Sequence, residues 1–398
     1  MDGKKYTRAC LVGLIGLLVT TALLNRIIDP FWYYRDITLP GINAVKNQFT
    51  HYERHVKPVI LRETRPDAVI FSSSVLEAGM NPAHPAFTYD GQYHGYNFGM
   101  QAAWWDRVYC NIEYALANTT LKTVVIGIAA ESLPIVDCST RIREMGAIQP
   151  SQLLLSWDAL KASVRTVTQQ KKPPTHTLDG MLFYHRYEGD IIEASFTREF
   201  YKYQVRTDTK ACLTPRSLDV PAWTSAHGES DMRGLEHLLG QLLERGVQVK
   251  LVIYPWHALW MELLLCNDLH DRWYSALRIA EVVKQATLRG GDVELWDFQG
   301  YSTAITERIK NNQTRFWQDF GHFNYELGDA MLDLMYGRAN SLEKWGNDVL
   351  GVRLTPESLP ERFAAFFENR RKFISQNHWF IEDFEKFSQG TNGSSKTP

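Results

Sequence analysis

Near its C-terminal third the chain carries Asp319-Phe320-Gly321-His322, an acid and a histidine three residues apart just ahead of an amphipathic stretch. Such a pair can orient an imidazole and then use it as a base. Far upstream, three serines, Ser72, Ser73 and Ser74, close the first short apolar run, Ala68 to Phe71 (AVIF). A serine hydroxyl is a weak nucleophile at neutral pH and needs such a base to take its proton. Other chemistry-bearing residues follow later apolar runs: Gly99 after Gly95 to Phe98, Glu131 after Thr123 to Ile128, Trp256-His257 after Val249 to Tyr254, and Asp297 after Val293 to Trp296.

These placements matter because the runs alternate with helix-like segments, which indicates parallel strands with crossover helices. In an open parallel α/β sheet, ligands gather at the carboxyl ends of the strands. The expected fold is therefore α/β: a three-layer αβα sandwich around a five-stranded parallel sheet. Helices are expected over Ala102 to Ala117, Ser151 to Thr168, Asp231 to Arg245, Trp260 to Leu265, Trp273 to Leu288 and Tyr325 to Tyr336. About a hundred residues, roughly 133 to 230, break the alternation and read as an inserted cap. The domain expectation is an N-terminal stub and anchor over 1–28 and an α/β domain over 29–353. A helical extension over 354–398 follows, ending in a tail of disordered composition from Gln389.

Composition bounds the function. The 398 residues are 44% hydrophobic and 22% charged, which excludes a disordered, collagen-like or polytopic membrane chain. Forty-three basic against forty-five acidic residues, with no long basic run, argue against nucleic acid as a partner. Cys10, Cys110, Cys138, Cys212 and Cys266 lie far apart, without a C-x-x-C pair, so no cysteine-built metal site is expected. Those after Cys10 are either two disulfides, whose pairing sequence leaves open, or buried thiols.

Lys4, Lys5 and Arg8 precede the uncharged stretch Ala9 to Leu24, which ends at Asn25 and Arg26. With its flanking arginines snorkelling, this stretch can span a bilayer. The alternatives are a cleaved signal peptide, with only Thr20-x-Ala22 as a weak cleavage site, and a buried core helix. Positive charge ahead of the stretch keeps the N-terminus inside and sends the chain after about residue 28 across the membrane. The expected location is the inner membrane, single-pass, with the globular part periplasmic or extracellular.

The order of these features resembles the SGNH-hydrolase superfamily, in which a serine follows the first strand, a glycine the second, and a late D-x-x-H supplies acid and base. Here those positions read Ser74, Gly99 and Asp319-x-x-His322. Closer still is the membrane-anchored branch that includes alginate O-acetyltransferase proteins of exopolysaccharide machinery. Asn25-Arg26-Ile27-Ile28-Asp29-Pro30, Ser73-Ser74 with Gly79-Met80-Asn81-Pro82, and Pro255-Trp256-His257-Ala258 all look like it. The sequence departs from the pattern at Ser72, at Val75, and at Gly127-Ile128-Ala129-Ala130, where an asparagine is usual.

The resemblance implies an acyl-enzyme on Ser74, with His322 as base, Asp319 as its orienting acid, and backbone N–H groups at Ser74 and Gly99 as oxyanion donors. Ser73 is the alternative nucleophile and His257 a secondary site candidate. It also implies an O-acyl (acetyl) transferase or esterase on an envelope polysaccharide, with no cofactor or metal and with a multispanning membrane acyltransferase as possible partner. The rival class is an inactive polysaccharide-binding or scaffold subunit.

Plainer readings stand beside each residue. Ser74-Val75-Leu76-Glu77 fits a capping box, His322 can be a turn residue, and His257 a satisfied core histidine. Glu131 and Asp297 read as solvated loop carboxylates. Trp104, Trp105, Trp256, Trp260 and Trp317 read as core, or as stacking faces for sugar rings. A metal-dependent hydrolase built from His257, His322, Asp297 and Asp319 lacks any recognised ligand spacing.

Overall fold

The computed structural model describes residues 3–89, 92–93, 95–129, 132–183, 191–202, 213, 230–266, 271–339 and 350–389. Helix α1 (Gly3–Ile28) carries the apolar stretch, exposed along most of its length and buried only at Asn25 and Ile28. It is long and apolar enough to cross a membrane. Its last turn docks on the domain, where Asn25 Nδ2 donates to the Leu154 carbonyl (2.8 Å) and Ser163 Oγ donates to Asn25 Oδ1 (2.7 Å).

The strands are β1 (Ala68–Phe71), β2 (Thr88–Tyr89), β3 (Gln92–Tyr93), β4 (Gly95–Asn97), β5 (Thr123–Ile128), β6 (Gln248–Ile253), β7 (Val293–Asp297) and β8 (Val352–Leu354). The main sheet has six strands in the order β4-β1-β5-β6-β7-β8, with β2 and β3 forming a separate antiparallel pair. Five strands run parallel, as the apolar runs predict, but β8 adds an antiparallel edge against β7, so the all-parallel five-stranded expectation is corrected. β8 is short and mostly outside the core, which leaves it no apolar run to announce it. β1 and β5 are buried at every position, as befits central parallel strands covered on both faces. Phe71 pairs with Ile126 and Ile128 with Ile253, which brings the carboxyl ends of β1, β5 and β6 to one edge.

Helices α2 (Glu53–Thr64), α3 (Ser74–Gly79), α4 (Trp105–Asn118), α5 (Ser139–Glu144), α6 (Pro150–Leu154), α7 (Trp157–Thr168) and α8 (Ile191–Lys202) precede β6. Helix α9 (Arg233–Glu244) leads directly into β6, and after that strand come α10 (Ala258–Cys266), α11 (Asp271–Leu288), α12 (Tyr325–Met335), α13 (Leu359–Gln376) and α14 (His378–Gln389). The α4 helix starts three residues later than its periodicity suggests, because Ala102 is left-handed (φ 51°) and Trp104 extended. The stretch expected as one helix from Ser151 to Thr168 is split into α6 and α7. Ser156 turns extended between them, its hydroxyl accepting the Ala159 N–H at 3.0 Å as an N-cap.

α9 shows how patterning sets the packing: Leu235, Leu238, Leu239 and Leu242 form one buried stripe. Each such leucine contributes about 1.5–3 kcal/mol of transfer free energy. Helix α9 adjoins α4 and α11, α2 adjoins α4, and α3 packs against α12. Cys110 and Cys138 form a disulfide with Cα atoms 5.3 Å apart, which settles one pairing that sequence leaves open. Cys212, much of the inserted segment and the terminal tail lie outside the described residues.

Candidate active site

At the end of β1 the chain turns sharply into α3. Ser73 is extended (φ −75°, ψ −172°) and its hydroxyl accepts the Val75 N–H at 3.4 Å, so Ser73 is the N-cap and Ser74 the first helical residue. The expected capping role of Ser74 is therefore corrected by one position. Glu77, its supposed box partner, faces inward to Lys57 Nζ at 2.6 Å. Ser74 Oγ thus faces away from its own backbone and lies 2.8 Å from His322 Nε2.

His322 sits on a tight turn between Trp317 and Phe323, which pair as an antiparallel bridge, and the Gln318 N–H donates to the His322 carbonyl at 2.8 Å. Asp319 Oδ1 accepts the N–H groups of Gly321 and His322, both at 2.8 Å, and both carboxylate oxygens lie 2.8 Å from His322 Nδ1. Burial opposes ionisation of Asp319, but His322 and the two backbone donors outweigh it and hold the carboxyl below its usual range. A carboxylate at Nδ1 fixes the proton there, leaving Nε2 as the acceptor for the Ser74 hydroxyl. The turn leads straight into α12, capped by Asn324 Oδ1 on the Glu326 and Leu327 N–H groups.

Two glycines let these segments meet. A Cβ on Gly328 would lie 2.7 Å from the Gly79 carbonyl carbon, and one on Gly79 would enter the Phe323 ring. Helices α3 and α12 therefore cross in backbone contact. Gly127 does the same for β5: a Cβ there would lie 2.9 Å from Leu76 Cγ, so α3 can sit low over the sheet.

Gly99 occupies the expected edge, but its N–H donates to Asn97 Oδ1 at 3.0 Å and its carbonyl accepts from Lys57 Nζ at 2.6 Å. The expectation that it supplies an oxyanion donor is corrected: the N–H is already engaged. Asn97 Nδ2 also donates to the Leu76 and Met80 carbonyls, at 2.8 and 2.9 Å, tying β4 to α3.

His257 is fully buried, its Nε2 2.7 Å from the Glu307 carbonyl and its Nδ1 accepting the Leu259 N–H at 3.2 Å. Burial drives its pKa down to about 4 against the pull of that carbonyl, so the ring is neutral at pH 7. It is a core residue and not a member of the site; its contribution is a backbone N–H to the Phe320 carbonyl (3.1 Å), which steadies the histidine turn. Asp297 is likewise no solvated carboxylate: buried, it accepts from Arg362 Nε at 2.8 Å and the Gln299 N–H at 3.0 Å. With His257 and Asp297 so engaged, the four-residue metal reading has no shared centre. Glu131 lies outside the described residues.

The sequence reading missed a buried polar cluster beneath α3. Lys57 Nζ reaches Glu77, the Gly99 carbonyl and the Gly180 carbonyl (2.6, 2.6 and 2.8 Å), while His176 Nε2 lies 3.3 Å from Glu77 and 3.6 Å from Glu53. Glu53, Glu77 and His176 are close enough to share a cation. The Lys57 ammonium already supplies positive charge there. A lysine inside the otherwise apolar run Val56 to Leu61 was the signal available for finding it.

Ser74 and His322 open into a cavity of about 550 Å³ at the carboxyl edge, lined also by Trp105 and Val108 of α4 and Trp260 and Leu264 of α10. Trp256 and Trp260 line it as buried walls. Trp105 also does so, its indole N–H donating to the Pro134 carbonyl at 2.8 Å, whereas Trp104 is 70% exposed at the edge. Trp317 is core, bonded through its indole to the Ala304 carbonyl at 2.7 Å. A serine, an imidazole and a carboxylate in this chain of contacts can carry out nucleophilic acyl transfer. In comparisons with known proteins, no family model and no curated sequence matches the chain.

Proposed function

We propose that this chain is a membrane-anchored serine O-acyltransferase or esterase of SGNH type, acting on a cell-envelope or exopolysaccharide. The observation that carries the reading is the contact chain from Ser74 Oγ to His322 Nε2 and from His322 Nδ1 to Asp319, each link at 2.8 Å. Ser74 attacks the ester carbonyl while His322 takes its proton, and the imidazolium returns that proton to the departing alcohol as the C–O bond breaks. Asp319 stabilises the imidazolium between those steps. A water or a sugar hydroxyl, deprotonated by the same imidazole, then takes the acyl group from Ser74. The Ser74 backbone N–H is the remaining oxyanion donor of the two that the resemblance named.

The Cys110–Cys138 disulfide and the apolar helix α1 support a domain facing an oxidising compartment outside the inner membrane. A transferase there needs acyl groups from the cytoplasm, hence a multispanning partner. A second reading, a scaffold without turnover, is favoured by one observation: the Gly99 N–H is engaged by Asn97 and no asparagine follows β5.

The test is hydrolysis of a chromogenic acetyl ester by the full chain in detergent, beside Ser74→Ala and His322→Ala. Loss of turnover in both variants supports the enzyme. A folded wild type that turns over neither this ester nor its longer-acyl homologues selects the scaffold.

A further inference from the structure

The cavity beside Ser74 has walls whose chemistry bears on the acyl group. Among the described residues it carries no aspartate, glutamate, lysine or arginine; its deep walls are Val108, Ile128, Leu133, Trp256, Trp260 and Leu264. Its polar side chains are Ser73, Ser74 and His322 at the chemistry, with the Tyr254 hydroxyl and the indole N–H groups of its tryptophans set in otherwise apolar walls. A sugar ring inside such walls would lose water from most of its hydroxyls without replacement, and each group left unpaired weakens binding. An alkyl chain suffers no such loss, and at 550 Å³ the space is far larger than the two-carbon group of an acetyl ester needs.

The substrate's polar half has another place to go. Trp104, 70% exposed at the cavity mouth, offers an aromatic face on the solvent side of Ser74. A polymeric sugar, which must enter from solvent, meets that face first.

We infer that the cavity takes the acyl chain, and that the acyl group transferred by Ser74 is longer than acetyl. This rests on the serine acyl-transfer reading above. The ester enters with its alkyl tail between α4 and α10 and its carbonyl carbon at Ser74 Oγ. The serine ester that forms keeps the tail in the cavity while the alcohol leaves toward Trp104.

The experiment measures kcat/KM of the full chain in detergent on two ester series. One holds the alcohol as p-nitrophenol and lengthens the acyl group from acetyl through butyryl and hexanoyl to octanoyl. The other holds the acyl group as acetyl and lengthens the alcohol from ethyl to hexyl. Each buried methylene is worth about fourfold, so acetyl to hexanoyl should gain on the order of 10²-fold in the first series, with the second nearly flat. Ala129→Trp, which puts an indole into the cavity wall, should pull the hexanoyl-to-acetyl ratio back toward one. A flat acyl series, or a rise confined to the alcohol series, overturns the inference and leaves the serine reading standing. No turnover of any ester by folded wild-type protein overturns both.

Discussion

Replacing Gly328 with alanine should open the Ser74–His322 contact without touching either residue. A Cβ at Gly328 would lie 2.7 Å from the Gly79 carbonyl carbon and 3.3 Å from Met80 Cα, and closer still to the Gly79 oxygen. Carbon atoms rest at about 3.5–4.0 Å, and the Gly79 oxygen is closer than either carbon, so α12 must move away from α3 by at least about 1 Å. Both neighbours are backbone, and neither can rotate aside as a side chain would. Ser74 starts α3 and His322 precedes α12 by three residues, so the displacement falls on their 2.8 Å contact. A misplacement of that size costs on the order of 10²-fold in rate, and overpacking of a close core contact costs about 1–3 kcal/mol in stability. The control is Gly240→Ala, also within a helix, where an added Cβ meets nothing within 4 Å. That change should stabilise by up to about 1 kcal/mol through helix propensity. Ester turnover and thermal melting of the two variants, measured side by side, decide the matter. If Gly328→Ala melts and turns over like the wild type, the account of how α3 and α12 position the site is wrong.

Other substitutions probe separate links. Asp319→Asn should lower kcat by about 10³- to 10⁴-fold at pH 7, since the amide no longer holds the imidazole in the useful tautomer. Because the Asp319 carboxyl titrates below its usual range in the fold, its contribution to stability is complete above the unfolded value near pH 4 and lost as pH falls through the folded value. Melting curves of wild type and Asp319→Asn should therefore differ at pH 7 and converge in acid. Lys57→Met leaves Glu77 buried without its cation and should cost about 3–5 kcal/mol by denaturant titration, part of which Glu77→Leu in the same chain restores. Reducing Cys110–Cys138, which closes a loop between residues 28 apart, should cost about 3–4 kcal/mol, read as a lower melting temperature in reductant.

The parallel core was legible because fully buried strands must be apolar throughout: Ala68 to Phe71 and Thr123 to Ile128 contain no charge that could face water. The pairing of Asp319 with His322 was legible for a similar reason, since three residues on a turn leave the two side chains little choice of partner. What sequence could not supply was distance between remote segments. Nothing in Gly79 or Gly328 alone says that one meets the other. The engagement of Gly99 by Asn97 depends on a loop conformation that two residue names do not specify. Ser73 and Ser74 show the finest limit: each suits an N-cap, and only the backbone angles at the β1 exit decide which serine caps and which faces His322. His257 stayed open between site candidate and core histidine because a strand-end position says nothing about depth, and depth here removes it from solvent entirely.

The hydrogen bonds at Asn25 also have a mechanical meaning. A helix that runs free of the domain acts as a tether, and the body it holds can tumble over a hemisphere. Here the final turn of α1 is clasped by Leu154 and Ser163, and the chain beyond it is folded back by Asp29, whose carboxylate accepts the N–H groups of Tyr33, Tyr34 and Arg35. Helix and domain then turn as one lever. If α1 spans a bilayer, as the proposed function has it, its tilt would set the compass bearing of the serine cavity, and the thickness of the membrane would become a control on what that cavity can reach.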